Sequence, residues 1–278
     1  MKTRKWLWMS ILSFCTNLII VNPMEAQSTS TYMLGIGTTD ILDTYLSQEK
    51  FSGTGITFLT ISERMKAVTT SGRNVATAYP AWTTVMQNQI HLSSASDRAD
   101  DGSMMEGTYD FYLGRYRGWQ FMDNKLRLQV GGLANFGLGF IYNTGNSNNP
   151  AQARLSLQLM PSAIGTYDFT LFKREAAFRY EIDLPLFGVA FSPNYGQSYY
   201  EIFSLGNYDH NIVPTTFVSQ PTFRQQITLK YSIGKHTMIA IGYLGDYQQL
   251  SVNNLKQHVW SNRFMIGIIT SFAKVTKK

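Results

Sequence analysis

His91 and Ser93 stand two positions apart in a segment whose residues alternate between polar and apolar types. On a β-strand, side chains two residues apart project from the same face, so these two side chains would be neighbours. A histidine beside a serine hydroxyl can activate it as a nucleophile, given a third group that orients the ring. This spacing makes ester hydrolysis the first chemistry to consider.

A second set of residues carries charge with the same period of two. Glu175, Arg179, Glu181 and Asp183 share one face of the segment 174–191. Adjacent carboxylates could perform acid–base chemistry, and an excess of cations could favour anions in a hydrated pore. Because charges in a narrow interior persist only when paired or solvated, we favour a salt-bridged network. Its predicted members are Arg127, Arg154, Glu175, Arg179, Glu181, Asp183, Arg224, Lys230 and Arg263.

The segments that carry these residues predict a barrel that crosses a membrane. Leu155, Leu157 and Phe178 belong to apolar sets that alternate with polar residues between 151 and 184. Segments of about ten such residues, separated by turns, are typical of transmembrane β-barrels with lipid outside and a polar lumen inside. We therefore predict an all-β fold, a single antiparallel transmembrane β-barrel of ten or twelve strands. The predicted strands are about 53–64, 83–95, 107–117, 124–142, 151–170, 174–191, 197–205, 222–233, 236–248 and 257–272.

In this barrel the histidine–serine pair is expected to face the lumen. His91 and Ser93 share the more polar face of their strand with Gln87 and Gln89, opposite the apolar Ile90. The pair resembles that of outer-membrane phospholipase and lipid A deacylase barrels. Those enzymes present the pair toward lipid, however, and the longer motif around the phospholipase histidine is absent here. The sequence favours a lumen-facing pair without catalysis, and an outer-membrane lipid hydrolase is the alternative.

The N-terminus has the pattern of an export signal. Basic residues at 2, 4 and 5 precede a mostly apolar stretch, and Ala26 suits cleavage before Gln27. We predict a signal peptide over 1–26 and a barrel domain over 27–278, in which 27–52 is a periplasmic leader or plug-like segment with a short helix or a plug at 40–49. The alternatives are an uncleaved anchor and a lipoprotein cut before Cys15, which the bulky Phe14 disfavours.

Composition narrows the class further. After residue 26 there is no apolar run of about eighteen residues, which excludes spanning helices and leaves a closed sheet as the way across a bilayer. The 17 Phe, 16 Tyr and 5 Trp suit aromatic girdles at the membrane surfaces. The net charge of +6 is modest and scattered, so we expect no nucleic-acid binding. No histidine or carboxylate set has metal-ligand spacing, so we expect neither a metal nor a cofactor.

Loop lengths predict the direction of each strand. Gly234-Lys235 reads as a tight hairpin turn, and 205–221 reads as a long loop. Such barrels have short periplasmic turns and longer outer loops. Counting back from a last strand that ends in the periplasm places Gly234 inside, 205–221 outside and 143–150 inside.

The chain carries four distinctive motifs, at Asp43–Ser47, Tyr142–Pro150, Asp183–Gly188 and Tyr195–Glu201. These motifs resemble an uncharacterised outer-membrane barrel family of anaerobic gut bacteria, a domain-of-unknown-function family. The resemblance covers most of the chain after the signal. It implies a fold and a location, and no assigned activity.

The last predicted strand carries a further resemblance. Phe264–Phe272 is an alternating apolar run that ends on an aromatic residue. It is similar to the C-terminal strand signature by which the barrel assembly machinery recognises outer-membrane proteins. The signature differs in one respect, because six residues, Ala273–Lys278, follow the aromatic residue.

Together these features predict a protein of the outer membrane of a Gram-negative bacterium, surrounded by lipid. Its expected role is structural or interaction-related, with partners that the sequence does not identify. The lumen is expected to be filled or narrow and polar, and passage of small solutes is left open. A secreted β-sandwich is a further alternative, which would pack the faces of Leu155 and Phe178 against another sheet.

Overall fold

The computed structural model describes residues 26–66, 81–146, 149–234 and 236–273. Nearly all of these residues lie in antiparallel strands, and one short helix, α1 (Tyr199–Phe203), is present. No helix in these ranges is long and apolar enough to span a membrane. The strands are β1 (Ala26–Asp43), β2 (Lys50–Lys66), β3 (Ala81–Ser96), β4 (Ser103–Phe121), β5 (Leu126–Asn143), β6 (Ala151–Leu171), β7 (Arg174–Asp183), β8 (Phe187–Phe191), β9 (Ile212–Thr216), β10 (Phe223–Ser232), β11 (Thr237–Val252) and β12 (Leu255–Ala273).

The sheet closes on itself. β1 pairs with β2 on one edge and with β12 on the other, and β5 pairs with β6, so the wall is continuous. After a break at 184–186, β8 continues β7 along the same edge of β6. β9 pairs with β8 and leads into β10 after a break at 217–222, so β9 and β10 form a second broken strand. Counting each broken strand once, the described residues form a closed antiparallel barrel of ten strands. The predicted fold class is confirmed.

Alternation along the strands separates two environments. On β12, Phe264 and Ile266 are 61% and 59% exposed, whereas Met265 between them is fully buried. On β7, Phe178 points outward and Arg179 inward, as the sequence pattern predicts. This period of two produces an apolar outer belt and a polar, charged lumen.

Two apolar clusters lie inside the lumen among the charged residues. The larger one contains Met33, Leu59, Tyr116 and other side chains from most of the strands. The smaller one, around Ile41 and Phe51, lies farther along the same strands. Along most of its length, the barrel interior is therefore packed with side chains.

The prediction of a leader or plug-like segment at 27–52 is wrong for the part that becomes β1. Residues 27–43 pair with β12 along one edge, and residues 26–42 pair with β2 along the other. The outward side chains of Tyr32, Leu34 and Ile36 continue the apolar belt. A segment hydrogen-bonded on both edges is part of the wall. Residues 40–43 belong to β1 and residues 44–49 form the turn to β2, so the helix expected at 40–49 is also absent. Residues 1–25, which hold most of the predicted signal peptide, lie outside the described residues.

The predicted strand at 197–205 is wrong as well, because this segment contains α1. The hydroxyl of Ser198 accepts a hydrogen bond from the Glu201 backbone N–H, and the Glu201 carboxylate accepts one from the Ser198 backbone. This reciprocal capping box satisfies N–H groups at the helix start. Both hydrogen bonds that Glu201 accepts from Ser198 lower the pKa of that carboxyl.

Because 197–205 is not a strand, every connection before it lies at the end of the barrel opposite to the one predicted. Ala26, Ala273 and the connection between β10 and β11 lie at one end of the barrel, here called the terminal end. The connections 44–49, 97–102, 144–150, 192–211 and 253–254 lie at the other end, here called the loop end. The long 143–150 connection is therefore on the same side as 205–211, and the predicted opposite placement is wrong. Gly234 does lie in the hairpin between β10 and β11, while Lys235 falls outside the described residues.

Candidate functional site

A side chain from one wall of the lumen reaches the opposite wall. Arg224 on β10 is completely buried, and its guanidinium donates to Asp183 at 2.8 Å. It also donates to Gln87 at 2.8 Å and to Gln89 at 3.2 Å, both on β3. In the closed order of ten strands, β3 and β10 are diametrically opposite. The ring of Tyr112 lies 4.8 Å from the same guanidinium. We use the name cross-lumen bridge for Arg224 and its contacts Asp183, Gln87, Gln89 and Tyr112.

A second ionic layer lies next to the bridge on the side of the terminal end. One nitrogen of Arg179 is 2.6 Å from Glu181, and the other is 3.0 Å from Glu63 on β2. Glu181 also accepts a hydrogen bond from Gln87 at 2.6 Å. Both the carboxylates and the guanidinium therefore have partners inside the barrel, as buried charges require.

His91 and Ser93 both face the lumen and are both buried, but they do not bond to each other. Arg263 lies 2.7 Å from His91 Nε2, and because a guanidinium only donates, that nitrogen accepts. The proton then sits on Nδ1, which donates to Thr57 at 2.6 Å. Ser93 instead donates to Glu106 at 3.0 Å. Both histidine nitrogens are occupied, so the ring is not placed to activate Ser93, and the pair is not presented to lipid.

Arg154 completes the ionic set on the side of the loop end. Its guanidinium donates to Glu106 at 2.9 Å and to Thr108 at 2.8 Å. It also reaches Gln248 on β11, on another part of the wall. The lumen is thus crossed by hydrogen bonds at more than one level.

Connecting segments at the loop end pack against one another and against the barrel wall. Tyr199 on α1 donates to Gln152 at 2.8 Å and accepts from the Ala153 backbone N–H at 2.7 Å. Tyr45 packs edge-on against Tyr199 and donates to the Gln197 carbonyl oxygen at 3.0 Å. Burial raises the pKa of Tyr199, so the phenol keeps its proton over the physiological range. α1 therefore covers a stretch of β6 that β8 leaves unpaired.

A cavity of about 730 Å³ occupies the terminal end of the lumen. We call it the terminal-end cavity. Three predicted network residues, Arg127, Glu175 and Lys230, line it instead of joining the central ion pairs. Other lining side chains include Glu63, Asp168 and Thr166. The structure thus divides the predicted network into a bonded centre and a group around a cavity.

No metal site is found in the described parts of the chain. No group of three or more His, Cys, Asp or Glu side chains there is arranged to hold an ion.

A family model described as "Protein of unknown function (DUF3316)" matches residues 19–278. The chain belongs to this family. A comparison with curated proteins gives no match for this DUF3316 member.

Several solved structures are similar to this DUF3316 member in their overall fold. The translocator domain of the autotransporter NalP from Neisseria meningitidis has 9% identity and a TM-score of 0.40, with 97% of this chain and 96% of that one covered. The transport unit of the autotransporter AIDA-I from Escherichia coli has 9% identity and a TM-score of 0.43, covering 95% and 97%. The outer membrane protease OmpT from Escherichia coli has 7% identity and a TM-score of 0.41, covering 90% and 98%. At TM-scores below 0.5, none of these likenesses bears on what the DUF3316 member does.

Sequence reasoning missed several partners of the network in this DUF3316 member. Glu63 and Glu106 are lumen-facing carboxylates that form ion pairs with Arg179 and Arg154, and Asp246 accepts a hydrogen bond from Gln89 of the cross-lumen bridge. Each occupies an inward position in the alternation of its strand, so the period of two could have found them. Glu106 was missed because the predicted strand began at 107, one residue too late.

Proposed function

We propose that this DUF3316 member is an integral barrel of a bacterial outer membrane, exported by its signal peptide, with a structural or interaction-related role. The outer belt supports the membrane location. Side chains such as Leu138, Phe140, Leu157 and Ile266 are each about half exposed around the outside of the wall. So much contiguous apolar surface is unfavourable in water and favourable against lipid.

The proposal that the lumen is closed rests on the cross-lumen bridge. Arg224 on β10 donates to Gln87 and Gln89 on the opposite strand, so no straight water path passes this level. Ten-stranded barrels are much narrower than the sixteen-stranded porins that keep a channel. Passage of a solute would require the bridge to open. The role that fits best is therefore that of a filled barrel, with its surfaces available to lipid and to partner proteins.

Two partners follow from this proposal. Lipid of the outer membrane contacts the belt, and the barrel assembly machinery recognises β12, whose residues Phe264, Ile266 and Ile268 present an alternating apolar face. The lipid hydrolase alternative has little support, because His91 and Ser93 are buried in the lumen with separate partners.

Planar bilayer recordings test the closed lumen. We expect the purified, folded protein to give no unitary conductance steps above the lipid background, because the bridge blocks the water path. Heat-denatured protein serves as the negative control and a sixteen-stranded porin as the positive control. Reproducible unitary steps from the folded protein would show a conducting pore and contradict the proposal.

A further inference from the structure

Two of the cations that line the terminal-end cavity lack the direct carboxylate contacts that Arg154, Arg179 and Arg224 have. Arg127 on β5 and Lys230 on β10 both line the terminal-end cavity. Within the described residues, neither side chain forms an ion pair or a hydrogen bond, and Arg127 Nε is buried without an acceptor. Arg154, Arg179 and Arg224 by contrast each hold a carboxylate at 3.0 Å or less.

Two small side chains lie on the wall between these two cations. Arg127 pairs across strands with Thr166 on β6, and Lys230 pairs with Ala177 on β7. On the adjacent strands β6 and β7, Thr166 pairs with Arg179 and Ala177 pairs with Asp168, so Thr166 and Ala177 lie diagonally to each other on the wall between the two cations. Small side chains here leave the volume in front of the wall to the cavity, and the Thr166 hydroxyl adds a hydrogen-bond donor.

No carboxylate of the described residues lies within ion-pair distance of Arg127 or Lys230. Glu63 is already held by Arg179 at 3.0 Å. Asp168 and Glu175 are exposed toward the mouth, and neither forms an ion pair with Arg127 or Lys230. Glu63 and Asp168 are near enough for their charges to act on both cations, but within the described residues neither carboxylate contacts Arg127 or Lys230 directly.

We propose that the terminal-end cavity binds a phosphate group, held between Arg127 and Lys230. The planar guanidinium offers paired donors and the ammonium a compact charge, which together suit a tetrahedral oxyanion. The cavity, at about 730 Å³, is in the range of small-molecule sites and much larger than the ion alone. Met238 and Ile269 give it an apolar part. The ligand is therefore a phosphate carried on an organic body, either a soluble phosphate ester or a lipid headgroup.

Calorimetric titration of the folded full chain in octyl glucoside, a phosphate-free detergent, tests this site with glycerol 3-phosphate as the probe. We expect binding of glycerol 3-phosphate and none of glycerol. The double variant Arg127→Gln/Lys230→Gln should bind at least tenfold more weakly. Lys173→Gln is the matched control, because Lys173 is an exposed cation in the turn between β6 and β7 at the same end and does not line the cavity.

A second arm separates the two sources of phosphate. If phosphatidylglycerol in mixed micelles displaces glycerol 3-phosphate, the site also accepts a lipid headgroup; if it does not, the site is specific for soluble esters. Because neither cation forms an ion pair or hydrogen bond in the described residues, and Glu63 keeps its contact with Arg179, the double variant should fold, which heat-modifiable mobility in SDS gels will verify. Absence of binding by the wild type, or equal binding by the double variant and Lys173→Gln, would overturn the proposal.

Discussion

Replacing Arg224 by alanine will lower the free energy of unfolding by roughly 3–5 kcal/mol, the usual cost of breaking a buried ion pair by removing one partner. Asp183 would lose its 2.8 Å contact, and Gln87 and Gln89 would lose the donor that links them to β10. Equilibrium unfolding in urea, followed by tryptophan fluorescence in phospholipid vesicles, measures this change.

Arg98→Ala is the matched control for that experiment. Arg98 is an exposed arginine in the connection 97–102 at the loop end. Its removal should change the free energy of unfolding by no more than about 0.5 kcal/mol, as is usual for surface substitutions. If Arg224→Ala also changed it by less than about 1 kcal/mol, the bridge would contribute little, and the lumen would be looser than its contacts indicate.

Placing a cation in the outer belt is expected to have the second largest effect. Ile266 on β12 is 59% exposed and stands between two outward apolar neighbours, Leu34 on β1 and Ile241 on β11. In water, Ile266→Arg would be nearly neutral. Against hydrocarbon the same substitution should cost about 2–4 kcal/mol, the range for arginine near the middle of a bilayer.

Leu205→Arg is the control that shows whether the cost of Ile266→Arg arises from contact with hydrocarbon. Leu205 is 65% exposed, close to the value for Ile266, but it lies in the connection 192–211 at the loop end. We expect this variant to unfold within about 0.5 kcal/mol of the wild type. Equal effects of the two arginines on vesicle-folded protein would mean that Ile266 does not face lipid.

The strand pattern could be predicted because the two faces of each strand meet different surroundings. Where lipid requires apolar side chains and the lumen accepts charge, as around Leu157 and Phe178, the alternation is strong in the sequence. The ionic residues Arg179, Glu181 and Asp183 were placed on the correct face for the same reason.

β1 could not be predicted in this way, because its lumen face carries few charged or strongly polar side chains. Gly37 is an example: a Cβ added there would lie 1.9 Å from the Asn262 carbonyl oxygen on β12. Only glycine allows so close an approach, yet a glycine within a strand reads as a turn or a break. The helix α1 did have a sequence signal, since Ser198 and Glu201 have the spacing of a capping box.

The contacts across the lumen are beyond the reach of sequence patterns. Arg224 and Gln87 are separated by 137 positions in the chain, and no local pattern relates them. Which cations remain unpaired, such as Lys230, depends on which carboxylates the closed barrel brings near. The terminal-end cavity likewise exists only once the strands have been placed around it.

The central claim, that hydrocarbon surrounds the outer belt, is tested most directly by folding the full chain into phosphatidylcholine vesicles without detergent. The account predicts that the protein sediments with the vesicles after an alkaline wash, resists added protease, and migrates as a heat-modifiable band. It predicts aggregation in the same buffer without lipid. A folded, monodisperse monomer in buffer that contains neither lipid nor detergent would contradict it.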